Sequence, residues 1–387
     1  MYSCLPLSGH GNTVLKRLQK VKEGISKVKK RVVIAMSGGV DSSTTAWFLK
    51  EKGYEVIGAT MCIGTTDRAE GGPASCCSLT DIDDARRVAL QLEIPFYVFP
   101  LRDEFEEEVI QYFCGEYLKG RTPNPCIICN ERMKFGSFLK RALELEADFI
   151  ATGHYARLDF DEGSGRYLLR KGKDMRKDQS YVLFSLTQDQ FRRSLFPLGE
   201  YRKEEIREKA LQLGLRVHNK PESQEICFIH YSSYHSFLSE KLKESIEPGP
   251  IIDQAGNVLG RHKGIPFYTI GQRRGLHLAK GKPLYVIAID REKNTVIVGE
   301  EDEVYSDTFI VDSINWISVQ EITSPITAQV KIRYNHPGSE AILSLKGRNQ
   351  AEVKFKSPQK AITPGQAAVF YKGETVLGGG WIKEVIN

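Results

Sequence analysis

The chain has 387 residues, 41% hydrophobic and 27% charged, with a formal net charge of +5. That is the balance of a soluble globular protein of two or three domains, and a mild positive excess suits a nucleic-acid partner without demanding one. No stretch approaches the roughly 18 apolar residues of a membrane-spanning helix, and eight cysteines are too sparse for a secreted disulfide scaffold, so a cytoplasmic protein with no membrane partner is predicted.

The first thirty residues form a basic extension. From Lys16 to Arg31 the only acidic residue is Glu23, which reads either as a transit peptide or as a solvated or nucleic-acid-facing helix. Val32 to Ala35 is a short apolar run with the character of a central strand, and Ser37, Gly38 and Gly39 make a turn. Asp41, Ser42 and Ser43 then lead into a helical pattern ending at Gly53. A buried strand, a small polar loop and a helix N-terminus together hold a polyanion: adjacent glycines admit oxygens close to the backbone, and free N–H groups and the helix dipole favour negative charge. The loop lacks the lysine of G-x-x-x-x-G-K-[ST] and the spacing of G-x-G-x-x-G. SGGVDS in this setting resembles the pyrophosphatase-type loop of adenylating enzymes, which hold the β- and γ-phosphates of ATP and transfer AMP to a carbonyl oxygen.

Tyr54 to Met61 alternates as a second strand, and Cys62 to Thr80 is a polar loop longer than usual. A helix is predicted over Asp81–Leu92 with aspartates at its N-cap, a strand over Ile94–Pro100 and a helix over Asp103–Leu118. Strands alternating with helices predict a doubly wound parallel sheet, whose ligands sit beyond the carboxyl ends of the strands. In GRTPNPCIICNERMKF two prolines oppose a helix start before Cys126. A helix over Phe138–Leu145, a strand over Asp148–Thr152, a hairpin-like insertion over Asp161–Gly172 and a charged amphipathic helix over Lys203–Leu213 follow. After about Pro248 the chain turns to short β runs punctuated by Gly and Pro, predicting one or two small barrels.

Cys126 and Cys129 form a C-x-x-C that is open to four readings: a zinc or iron site, a dithiol, one catalytic thiolate activated by Arg121, Arg132 and Lys134, or a plain structural pair. Cys227 between Ile226 and Phe228 reads as core or as a second reactive thiol. His154 and the Lys177–Asp178–Gln179 run are individually ordinary.

Taken in order, SGGVDSS, GRTPNPCIICN, TGHYAR, KDQSYVLFSL, KPESQEICFI, YTIGQRRGL and GGGWI resemble the tRNA-specific 2-thiouridylase family from about Arg31 to Ile382. The resemblance implies an α/β ATP-binding adenylation domain over 31–218 and a small, largely β central domain over 219–303. The Cys227 segment would pack back on the ATP domain, and a C-terminal β-barrel would fill 304–387. It implies that ATP adenylates the C2 carbonyl of the wobble uridine and that a cysteine persulfide displaces AMP. Ala35, Met36, Ser37, Gly38, Gly39, Val40, Asp41 and Ser42 would wrap ATP, with Asp41 near its Mg²⁺, and Met61 and Gly153 would flank the nucleotide. Cys129 would be the nucleophile and Cys227 the persulfide carrier, with Cys129 either releasing the sulfur or closing a transient disulfide with Cys227 afterwards. Asn124, Pro125 and Cys126 would contact the base; His154, Lys177, Asp178, Gln179, Arg333, Tyr334 and Gln366 would touch the tRNA. Cys126 departs from the Asp of well-studied members. This opens a second implied route, in which Cys126, Cys129 and Cys227 ligate a four-iron four-sulfur cluster. An upstream cysteine desulfurase or sulfur-relay protein is implied, and a monomer is the default.

Overall fold

The computed structural model describes residues 29–64, 79–221, 226–229, 234–243, 245–278, 281–347 and 349–386. Most of the basic extension, the middle of the 62–80 loop, and Cys4, Cys76 and Cys77 lie outside the described residues.

Strands β1 (Arg31–Ala35), β2 (Glu55–Cys62), β3 (Phe96–Pro100), β4 (Phe149–Ala151) and β7 (Ser194–Leu195) form a parallel sheet in the order β3-β2-β1-β4-β7. Side chains alternate across β1. Val32 and Ile34 join a core with Ala46, Leu49, Ile206 and Ala210 from the helices Val40–Glu51 and Lys203–Gln212, while Val33 enters the opposite core. That second core is built by Phe105, Phe113, Ile127, Met133 and Phe138, from the helical stretches 102–118 and 125–144. Strand order reverses at β1, where chain leaves toward β2 on one side and returns as β4 on the other. The crevice beyond the carboxyl ends of β1 and β4 is the topological switch point of the sheet.

The helices differ from expectation at their starts. The second helix begins at Leu79, so Asp81 lies in its first turn rather than at the cap. Against the expectation that the prolines exclude a helix start before Cys126, a helix begins at Pro125, whose missing N–H is harmless at the first helical position, with Asn124 as N-cap. Both long helices contain π-helical stretches, Glu106–Ile110 and Cys129–Ser137, which periodicity alone does not reveal.

The insertion after β4 is a hairpin of β5 (Ala156–Asp161) and β6 (Arg166–Lys171). The central sheet has the order β10 (Tyr285–Asp290), β11 (Thr295–Gly299), β8 (Gly249–Ile252), β9 (Val258–His262). The C-terminal strands β12 (Tyr305–Trp316), β15 (Gln350–Lys360), β14 (Ser339–Gly347), β13 (Ile326–Lys331), β16 (Ala367–Lys372) and β17 (Thr375–Ile386) close into a barrel through β12–β17 pairing. β17 also pairs with β6, Thr375 opposite Arg170, so the hairpin of the first domain extends the barrel sheet. The sequence pattern missed β8, β9, β12 and β14. β8 opens on Gly-Pro, and β12 is broken by a register shift between Asp312 and Asn315, with Ser313 at φ 52°. No described helix is long and apolar enough to cross a membrane.

Candidate active site

The turn after β1 is shaped for close approach. Gly38 has φ +69°, and a Cβ there would lie 2.3 Å from the Asp81 carbonyl oxygen. Nothing larger than glycine fits this cradle. Gly39 caps the helix Val40–Glu51 in an extended conformation without a side-chain cap, while the hydroxyls of Ser42 and Ser43 donate back to its carbonyl at 3.2 and 2.8 Å. The Ser37 N–H donates to Ser42 Oγ at 3.2 Å. A turn rich in hydroxyls and N–H groups, at the N-terminus of a twelve-residue helix, is suited to phosphate oxygens. On the β4 side, a Cβ on Gly153 would meet Asp41 Cβ at 3.0 Å and Ser42 N at 3.1 Å, so that glycine lets the chain after β4 run against the start of the helix Val40–Glu51.

Two lysines brace this turn, and sequence reasoning assigned a role to neither. The ammonium of Lys203, 5% exposed, lies 2.7 Å from both carboxylate oxygens of Asp41, and the Tyr155 hydroxyl donates to Asp41 Oδ1 at 2.7 Å. The Lys203 N–H in turn donates to the buried Asp174. Asp41, expected beside Mg²⁺, thus answers a lysine in this arrangement. Lys220 donates to the Gly38 carbonyl at 3.1 Å, to Asp81 at 2.8 Å and to Asp84 at 2.6 Å. Burial opposes its charge, but the bonds to the two aspartates prevail and raise its pKa. It opens the KPESQEICFI run, in which Cys227 stands seven residues further on.

Pro125 and Ile127 are buried and Cys126 is exposed at the helix start, while the Asn124 side chain accepts from the Ile127 N–H at 3.4 Å. Cys129 is half-buried where the π-helical stretch begins. Its neighbour Asn130 is buried and donates to the Val182 carbonyl at 2.9 Å, and its side-chain oxygen has no hydrogen-bond partner among the described residues. Asn130 ties the cysteine helix to the Ser180–Leu183 turn, a link sequence reasoning did not find. Phe228 wedges against Phe105, Phe113 and Phe237 at centroid distances of 5.7, 5.3 and 5.4 Å. Ala35, Met61, Cys129 and Cys227 consequently pack against one hydrophobic cluster. Among the described residues no three Cys, His, Asp or Glu side chains converge on a metal position, so the set Cys126, Cys129 and Cys227 does not form a cluster cage in this arrangement.

The residues expected to touch tRNA divide. Arg333 and Tyr334 are exposed, and the Tyr334 hydroxyl donates to the Asp178 carbonyl at 3.3 Å, which joins two of the expected contact segments across domains. Lys177 is half-buried, and Gln179 exchanges bonds with the Tyr155 backbone, its side chain accepting at 3.0 Å and its N–H donating at 2.9 Å. Asp178 is buried and its carboxylate accepts from the N–H groups of Gly172 and Ser180 and from the Ser180 hydroxyl. His154 is 6% exposed, bonded to Thr152 Oγ1 at 2.7 Å and set between Phe135 and Phe196. Burial, with Lys134 adding, holds its imidazole well below its ordinary pKa. His154 is a core residue here. Gln366 points inward, donating to the carbonyls of Thr122 and Pro123 at 3.0 and 3.3 Å.

Three family descriptions match consecutive parts of the chain: tRNA methyl transferase HUP domain over 30–231, tRNA methyl transferase PRC-barrel domain over 235–300, and aminomethyltransferase beta-barrel domain over 306–382. The chain is 53% identical over 358 residues to the tRNA-specific 2-thiouridylase MnmA of Halothermothrix orenii, covering 92% of this chain and 99% of that protein. It is 52% identical over 357 residues to that of Heliobacterium modesticaldum, covering 92% and 93%, and 51% identical over 362 residues to that of Desulforamulus reducens, covering 93% and 99%. The domain descriptions speak of methyl transfer and the full-length relatives of thiolation.

Proposed function

The chain belongs to the tRNA-specific 2-thiouridylase family, and we propose that it thiolates the wobble uridine of tRNA at C2 in an ATP-dependent reaction. The observation that carries this reading is the shared cluster on which Ala35, Met61, Cys129 and Cys227 pack. Ends of two sheet strands and two cysteines distant in sequence lie against that same apolar core. Methyl transfer gives no reason for that gathering, whereas adenylation followed by sulfur delivery needs both halves.

The uracil C2 oxygen attacks the α-phosphorus of ATP, the Pα–O bond to the β-phosphate breaks, and pyrophosphate leaves. The Ser37–Gly39 turn and the helix N-terminus hold the departing phosphates; Mg²⁺ arriving with ATP supplies charge neutralisation there. The outer sulfur of a Cys227 persulfide then bonds to C2, and AMP departs with the former carbonyl oxygen. Cys129 thiolate attacks the inner sulfur of Cys227, the S–S bond to the outer sulfur breaks, and a Cys129–Cys227 disulfide remains. The two electrons gained by the transferred sulfur come from these cysteines, and a dithiol reductant resets them. The base must leave the anticodon stack to reach the crevice, and a cysteine desulfurase or sulfur-relay protein loads Cys227.

The test is mass analysis of tRNA nucleosides after incubation with ATP, Mg²⁺, a persulfide donor and the protein. The expected product is 2-thiouridine at the wobble position, with AMP released in equal amount. AMP release without tRNA, or thiolation without ATP, would sink the reading.

A further inference from the structure

The segment 120–125 leads into both C-x-x-C cysteines, and its middle, Thr122–Pro123, has little means of holding itself. Pro123 and Pro125 carry no N–H, and Gly120 takes φ +70°. Gly120 and Arg121 are tied back to the preceding helix through the Tyr117 and Glu116 carbonyls and the Glu116 carboxylate, whereas Thr122 and Pro123 are held from other domains. The Thr122 N–H donates to the Pro364 carbonyl at 2.9 Å, and the Thr122 hydroxyl donates to that of Thr269 at 3.2 Å. A Cβ on Gly120 would lie 2.7 Å from Ile289, and one on Gly365 would lie 2.9 Å from Arg121 Cβ and 3.0 Å from Thr122 N. The barrel and the central sheet thus close on this segment from two sides with no room between.

The Gln366 amide is the polar centre of that closure. Its nitrogen has two hydrogens and two carbonyl acceptors, Thr122 O and Pro123 O. The opposite amide orientation would set its oxygen against both carbonyls, so the network fixes the assignment. The clamp stands on a rigid base: the Gly365 N–H donates to the Ile382 carbonyl at 2.9 Å and the Ile382 N–H to the Gln366 carbonyl at 2.8 Å, with Ile382 fully buried in β17. We propose that Gln366 is a positioning residue that fixes the segment 120–129 from the C-terminal barrel, making the barrel part of the active-site scaffold as well as an RNA surface. The proposal rests on the reading of that segment as catalytic. Displacing a reacting group by about an ångström costs on the order of a hundredfold in rate, so a clamp in place before RNA arrives governs turnover rather than affinity.

Gln366→Glu keeps the shape and removes both donors. In tRNA-free protein, amide hydrogen exchange over 117–133 is expected to quicken about tenfold or more, while exchange over 367–386 stays as in the parent. At saturating tRNA, kcat is expected to fall about thirtyfold with the tRNA Kd within about twofold. If exchange also rises across the barrel, Gln366→Asn, which keeps the amide but cannot reach, repeats the measurement without added charge. Unchanged exchange over 117–133 overturns the proposal, and weakened tRNA binding alongside it makes Gln366 an RNA contact. A parent protein that thiolates no tRNA refutes the proposed reaction and leaves the exchange result to decide the clamp by itself.

Discussion

The Lys203 ammonium bridges both carboxylate oxygens of Asp41 at 2.7 Å across 162 residues of sequence. Asp41 stands in the first turn of the helix Val40–Glu51, so the pair ties that turn to the start of the helix Lys203–Gln212. Tyr155 adds a hydroxyl to the same carboxylate.

Lys203→Met leaves Asp41 without its cation. Removing one partner of such a pair is expected to cost about 2 kcal/mol of stability, given the partial exposure of Asp41. ATP-dependent adenylation should fall on the order of a hundredfold. Chemical denaturation and tRNA-dependent AMP release measure the two effects. Adenylation at the parental rate would remove Lys203 from the phosphate site.

Cys129→Ser and Cys227→Ser should each abolish thiolation, because a serine carries no sulfane sulfur and closes no disulfide. Cys227→Ser should still bind ATP, since the phosphate turn is braced by Lys220 rather than by the thiol. Equilibrium binding of ATP and nucleoside mass analysis separate these outcomes, and normal turnover by either variant contradicts the persulfide route.

Arg333→Ala removes an exposed guanidinium beside Tyr334. The tRNA affinity should weaken on every substrate alike, with the slope of log affinity against log salt reduced by about 1. A binding titration at several salt concentrations reads this directly.

Stability should decline as pH falls below the ordinary histidine range. Burial lowers the pKa of His154, and of His262 and His336. Above about pH 6.5 both folded and unfolded chains keep these rings neutral. Below it the unfolded chain takes up protons that the folded chain refuses, at up to about 1.4 kcal/mol per pH unit for each such group. His154→Leu should flatten that decline in unfolding measurements from pH 7.5 to 5. An unchanged slope would show that His154 titrates normally in the folded state.

Much of the first domain was legible because its signals are local. The apolar run Val32–Ile34, the glycine turn and the helix to Glu51 lie within about twenty residues, and each rule involved acts over a few positions. Lys203 and Lys220 were not legible: both read as surface charge in polar stretches, and only the packing of the helix Lys203–Gln212 and of the segment after it turns them toward Asp41 and Gly38. His154 failed in the opposite direction. TGHYAR singles the residue out, but sequence does not say that Phe135 and Phe196 close around its ring. Gln366 was singled out by the resemblance, yet its inward aim depends on a contact 244 residues away.

The pairing of β17 with both β12 and β6 sets an order on synthesis. The hairpin Ala156–Lys171 leaves the ribosome long before Thr375, its partner in the sheet, exists. The barrel cannot close until the final strand is free of the exit tunnel, because β17 supplies its seam with β12. At about 5–20 residues per second, the stretch between the hairpin and β17 takes about 10–40 seconds to synthesise, during which the hairpin edge is bare. Closure of the barrel waits on β17, so nascent chains stalled before it should be the ones that chaperones and proteases find.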